Sequence, residues 1–150
     1  MEKEKIFEEV FEKIKNSDYT DRKDILRNVV NILKESFEHY DWVGFYLVKE
    51  GKLVLSDFNG EPTVHTKINF GEGICGQAAE KKITFIVKDV SQEKNYLSCS
   101  PKVKSEIVVP IFKNGNIVGE LDIDSHRINA FDDIDREHLE RICRYLEKFF

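Results

Sequence analysis

The stretch Glu106-Ile107-Val108-Val109-Pro110-Ile111-Phe112-Lys113-Asn114-Gly115-Asn116-Ile117-Val118-Gly119-Glu120-Leu121-Asp122-Ile123-Asp124 decides the fold. Two β-branched runs flank Lys113-Asn114-Gly115-Asn116. An Asn-Gly pair between such runs is the strongest short-range hairpin signal, because both central residues must take positive φ. Glu106–Phe112 and Ile117–Asp124 therefore read as antiparallel strands. Pro110 cannot donate to a ladder, which suggests an edge or bulge position. Asp122 and Asp124 are two apart on one strand, so they point to the same face, and Ile123 points to the other.

Upstream, Trp42-Val43-Gly44-Phe45-Tyr46-Leu47-Val48 and Leu53-Val54-Leu55-Ser56-Asp57-Phe58 repeat the pattern around Lys49-Glu50-Gly51-Lys52. That is a second hairpin. Apolar residues at Ile6, Phe7, Val10, Phe11 and Ile14, and at Ile25, Leu26, Val29, Val30, Leu33 and Phe37, recur at helical spacing. Thr20 or Asp21 can cap the second of these helices. At the far end, Asp132 can cap a closing helix with Ile134, Leu139, Ile142, Cys143, Leu146 and Phe149 inward. The expectation is an α+β chain: a central, mainly antiparallel sheet with the N- and C-terminal helices packed on one face. Residues 1–150 read as a single domain, with helices over 1–39 and the sheet, loops and closing helix over 40–150.

Between the hairpins lies Phe70-Gly71-Glu72-Gly73-Ile74-Cys75-Gly76, a Gly-rich turn entering a short helix over 75–82. A brief strand, Thr84–Val87, follows. The polar segment Lys88–Lys104 contains Cys99, and a loop of that length in a compact domain is usually functional or disordered. On residue type alone, Cys75 fits either a redox thiol or a small packing residue, and Cys99 either a nucleophile or an idle surface thiol. Cys143 sits in an apolar helical stripe and reads as core.

The chain carries 150 residues with 34% charged side chains of both signs and net charge −5. This acidic balance without a basic block argues against nucleic acid as the main partner. No apolar run approaches the roughly 18 residues of a membrane span, and the charged N-terminus has no signal core. An odd count of three cysteines reads as reduced thiols in the cytoplasm rather than structural disulfides. The four histidines show no metal-ligand spacing with the cysteines, so no metal site is expected.

Four segments in this order, Trp42–Tyr46, Phe70–Gly76, Ser105–Pro110 and Leu121–Ser125, resemble the free methionine-(R)-sulfoxide reductases, an enzymatic branch of the GAF domains. The resemblance spans roughly residues 40–146. It implies a GAF-like fold, with Cys99 as nucleophile and Cys75 as second redox cysteine. It also implies that Glu106, Asp122 and Asp124 line the substrate site. The family usually carries one more cysteine before the Gly-rich turn, where this chain has His65. Cys75 is then the one motif-matched thiol that can resolve Cys99. The resemblance further implies no bound cofactor, thioredoxin as external thiol reductant, and a homodimer.

The residue chemistry agrees with such a role. A thiolate attacks the sulfoxide sulfur, the oxygen needs protons, and a second thiol converts the sulfenic acid to a disulfide. Clustered carboxylates favour a bound ammonium group and raise the pKa of at least one member, so that it can donate a proton. Glu106 is the first choice for that donor. Trp42 and Tyr46 can pack on the substrate's thioether end. The alternative is a GAF module that senses a small molecule or redox state without turnover. The Asn-Lys-x-Phe-Asp-Glu motif of cyclic-nucleotide-binding GAF domains is absent, with Asn129-Ala130-Phe131-Asp132-Asp133 only a partial echo.

Overall fold

A computed structural model describes residues 2–98 and 100–150. Both hairpins form as the turn chemistry requires. β1 (Trp42–Lys49) pairs with β2 (Lys52–Asn59), and β5 (Ser105–Lys113) with β6 (Asn116–Ser125). Their turns place Glu50, Gly51, Asn114 and Gly115 at φ of 51°, 75°, 52° and 79°. Both central residues of each turn are thus left-handed, which matches the twist of the strands. Short strands β3 (Lys67–Asn69) and β4 (Phe85–Val87) add to the outsides, giving one six-stranded sheet in the order β3-β2-β1-β6-β5-β4. Every pairing is antiparallel. The hairpins meet through β1 and β6 at the centre.

Pro110 lies second from the edge, but β4 covers only Glu106, Ile107 and Val108. Beyond that point β5 is itself an edge, and the register shifts between Ile111 and Phe112. The proline therefore sits where a missing donor is tolerated.

Helices α1 (Glu2–Lys15), α2 (Arg22–Ser36) and α4 (Asp133–Leu146) pack on one sheet face. Their apolar stripes bury Phe7, Ile14, Leu26, Leu33, Leu139 and Ile142 against Val43, Phe45, Ile107, Val109, Leu121 and Ile123. Each such side chain contributes about 1.5–3 kcal/mol on burial. Asp21 caps α2 by accepting from the Asp24 amide at 3.0 Å. Asp132 caps α4 through a reciprocal box with Asp135.

Asp135 does more than cap. It is fully buried, accepts from Tyr40 Oη at 2.6 Å and from Lys3 Nζ at 2.7 Å, and so ties α1 and the entry to β1 onto α4. α3 (Gly73–Lys81) lies on the opposite face, over Trp42, Tyr46, Val87 and Val108. No helix among the described residues is long and apolar enough to cross a membrane.

Candidate active site

The acids expected to line the site lie on the sheet face under α3, and strand register explains why. β6 lies between β1 and β5, so each residue of its α3-facing row has two neighbours. Asp124 pairs with Trp42 and Glu106, Asp122 with Gly44 and Val108, and Glu120 with Tyr46 and Pro110. Glu106, Asp122 and Asp124, assigned to substrate contact by the sequence, are brought together and buried, at 6%, 5% and 4% exposure. Acids alternating along a strand usually face water. Here α3 and the flanking segments cover them.

Glu120 completes this acidic row and is fully buried, yet it carries no role in the sequence reading. The signal was available, since Glu120 is two residues before Asp122. Gly44 makes room for the row's aromatic neighbour. A Cβ there would sit 2.4 Å from the Trp42 ring and 2.9 Å from Phe58 Cβ, so the glycine lets the indole lie across the sheet. Trp42 then stacks on Phe58, with ring centroids 5.6 Å apart, and donates its indole N–H to the Glu61 carbonyl at 2.9 Å.

α3 delivers Cys75 from above. Gly76, next along the helix, has no space for a Cβ, which would come within 2.5 Å of the Asn69 carbonyl oxygen. This close approach pulls the helix start onto the turn. Cys75 is buried, and its sulfur lies within 4.8 Å of carboxylate oxygens of both Glu106 and Asp122. Residue spacing along the chain gave no hint of such a ligand-like group, because its members come from three elements.

Burial is the first cause of every ionisation shift here. It pushes the Cys75 thiol well above its usual range, and the charges of Asp122, Glu120 and Glu106 push it further. Burial likewise holds Glu120 and Asp124 well above the carboxylate range, with the Asp122 charge adding to both. Asp122 is raised by burial too, against the opposing pull of Glu106 and the Cys75 thiol. Burial thus biases Cys75, Glu120, Asp122 and Asp124 toward their neutral, proton-bearing forms. Cys143 is also buried, in the helical core, and its thiol is raised by burial.

Two small cavities border the acids. One, of about 20 Å³, is lined by Tyr46, His65, Cys75, Leu97, Glu106 and Asp122 among others. The other, of about 30 Å³, touches Trp42, Ser100, Val103, Asp124 and His126. The expected site residues thus divide between two neighbouring cavities. Each has room for about one water molecule. An amino acid needs more room than either cavity offers, so lining side chains have to shift for it to enter.

The Gly-rich turn is held by a residue the sequence left as an unremarked loop polar. Asn95 accepts from the Gly73 amide at 2.8 Å and donates to the Gly71 carbonyl at 2.7 Å. The first amide of α3 is therefore already served by the loop. His65 also joins loop to loop: its Nε2 lies 2.9 Å from the Ser98 carbonyl oxygen, and Tyr46 Oη donates to the His65 carbonyl at 2.8 Å. Cys99, the residue expected to be the nucleophile, lies outside the described residues.

An antiparallel sheet with helices on one face and a covered, thiol-bearing acidic site on the other defines the class. The chain belongs to the GAF domain family, whose sequence profile matches residues 20–148. GAF domain-containing protein A of Dictyostelium discoideum is 47% identical over 81% of this chain and 77% of that protein. Free methionine-R-sulfoxide reductase of Escherichia coli is 34% identical over 82% of this chain and 74% of that protein. Among solved structures, free methionine-R-sulfoxide reductase from Neisseria meningitidis, in complex with its substrate, superposes with a TM-score of 0.87. It is 39% identical and covers 97% of this chain and 86% of that one.

Proposed function

We propose that this chain is a free methionine-(R)-sulfoxide reductase, and that residues 1–150 act as one GAF domain. The observation that carries the reading is the buried acidic row of Glu106, Asp122, Asp124 and Glu120, with Cys75 Sγ within 4.8 Å of carboxylate oxygens of Glu106 and Asp122. Relatives of that name, at 34% and 40% identity, support it.

In the reaction, the Cys99 thiolate attacks the sulfoxide sulfur, and Glu106, Asp122 or Asp124 gives the oxygen a proton. A bond forms between the two sulfurs; the hydroxyl then passes from the methionine sulfur to the Cys99 sulfur as the sulfur–oxygen and sulfur–sulfur bonds break, so that methionine leaves reduced by two electrons and Cys99 is left oxidised by two as a sulfenic acid. Cys75 then attacks that sulfur. A disulfide forms, and the hydroxyl leaves with the Cys75 proton as water. The chain neighbours of Cys99 support this assignment, since Leu97 borders one cavity and Ser100 the other. The acids hold the substrate's ammonium group, while Trp42 and Tyr46 pack on its thioether end. A cytoplasmic dithiol protein, thioredoxin, reduces the disulfide, and the working enzyme is a homodimer without a bound cofactor.

The test is methionine production from free methionine-(R)-sulfoxide with a dithiol reductant. The intact protein is expected to produce it, the Cys99→Ser variant none, and the (S)-epimer none. Binding of the sulfoxide without methionine release would instead support a sensing module.

A further inference from the structure

The buried acids hold more acceptor atoms than their surroundings serve. Both carboxyl oxygens of Glu120, Asp122 Oδ1 and Asp124 Oδ1 are buried with no hydrogen-bond partner among the described residues. Such groups cost about 1–3 kcal/mol each when nothing compensates them. None of the ion pairs among the described residues involves Glu120, Asp122 or Asp124. Beside these atoms stands a ligand set of mixed hardness. Cys75 Sγ and one carboxylate oxygen each of Glu106 and Asp122 all lie within 4.8 Å of one another. They project from α3, β5 and β6, so the sheet and the helix packed on it fix their relative positions.

We propose that Cys75, Glu106 and Asp122 form a binding site for a thiophilic divalent cation, Zn²⁺ or Cd²⁺, with the buried, unpartnered Glu120 two residues before Asp122 on the same face of β6. A tetrahedral zinc site has metal–sulfur and metal–oxygen bonds of about 2.3 and 2.0–2.2 Å, hence ligand–ligand edges of about 3.3–3.7 Å. Side-chain movement of about an ångström closes the present triangle around an ion. One thiolate and two carboxylates suit zinc, and the soft sulfur favours it over magnesium or calcium, which take all-oxygen shells. Binding releases the Cys75 proton to solvent and moves no electrons. Resting on the functional reading above, an occupied site ties up the resolving thiol and two substrate-site acids, so it blocks recycling and substrate binding together.

The test titrates the reduced full chain with Cd²⁺, reading the ultraviolet thiolate-to-cadmium absorption and the calorimetric stoichiometry. One equivalent is expected to bind and to be displaced by Zn²⁺. The absorption disappears in Cys75→Ser and persists in Cys143→Ser and Cys99→Ser, while Glu106→Gln and Asp122→Asn each weaken binding about tenfold or more. No absorption at one equivalent overturns the proposal. So does absorption that survives Cys75→Ser or that vanishes in Cys99→Ser. One equivalent of Zn²⁺ also stops dithiol-dependent turnover, and a chelator restores it. Turnover unaffected by the bound ion contradicts the placement. The absorption needs no turnover, so a chain that binds Cd²⁺ through Cys75 but reduces no sulfoxide defeats the functional reading and leaves the cation site standing.

Discussion

At the scale of single residues, Glu120 gives the sharpest consequence. Its carboxyl is held well above the ordinary value of 4.5 by burial and then by the Asp122 charge. The folded chain keeps this proton over a pH range in which the unfolded chain has already lost it. Its stabilising effect is therefore complete below the ordinary range and fades as pH rises through the raised value. Glu120→Gln removes that loss. It is expected to gain stability above the ordinary range by about 1.4 kcal/mol per pH unit separating the two values. Urea midpoints across a pH series check this, and equal slopes for both proteins contradict it. Cys143 offers the complementary result, being bound in the core under the helices. Cys143→Ala is expected to leave methionine yield unchanged while lowering the urea midpoint.

How much a reader of the sequence sees at this scale depends on what fixes each residue. The shared face of Asp122 and Asp124 follows from strand period alone. Burial of Glu106 and Glu120 depends on a helix laid over them, and residue type gives no sign of that cover. His65 and Asn95 act through loop-to-loop contacts 33 and 22 residues away in sequence, which local patterns do not contain.

At the scale of elements, local chemistry made both hairpins, the caps of α2 and α4 and the apolar helix stripes legible. The pairing of β1 with β6 was not legible, because it joins hairpins separated by α3 and a loop. That pairing aligns Trp42, Asp124 and Glu106 in one row. Two substitutions probe the elements. Gly44→Ala forces a methyl group into the Trp42 ring, and overpacking of this kind costs roughly 1–3 kcal/mol. Thermal or urea unfolding measures it. Asn95→Ala frees the first amide of α3 and unpins the loop, at about 1 kcal/mol, close to the cost of losing a helix cap. Hydrogen exchange at the Gly73 amide is expected to quicken in this variant, and an unchanged rate contradicts the assignment.

At the scale of the whole molecule, one sheet divides two kinds of work. The face under α1, α2 and α4 is an apolar core bordered by the Lys3–Asp135–Tyr40 network, and the face under α3 spends burial on acids and a thiol. Asp135→Ala leaves the buried Tyr40 hydroxyl without its acceptor and removes the shorter of the two Lys3 ion pairs, the one with Asp132 at 3.4 Å remaining. A cost of about 3–5 kcal/mol is expected in unfolding experiments, as for other broken buried pairs. The mechanism is tested most directly by a single turnover without external reductant, followed by mass spectrometric mapping of cysteine pairs. One methionine per chain and one new disulfide, Cys75 with Cys99, are expected, with Cys143 still a free thiol. Methionine formed with Cys143 in the disulfide, or no methionine at all, would contradict the mechanism.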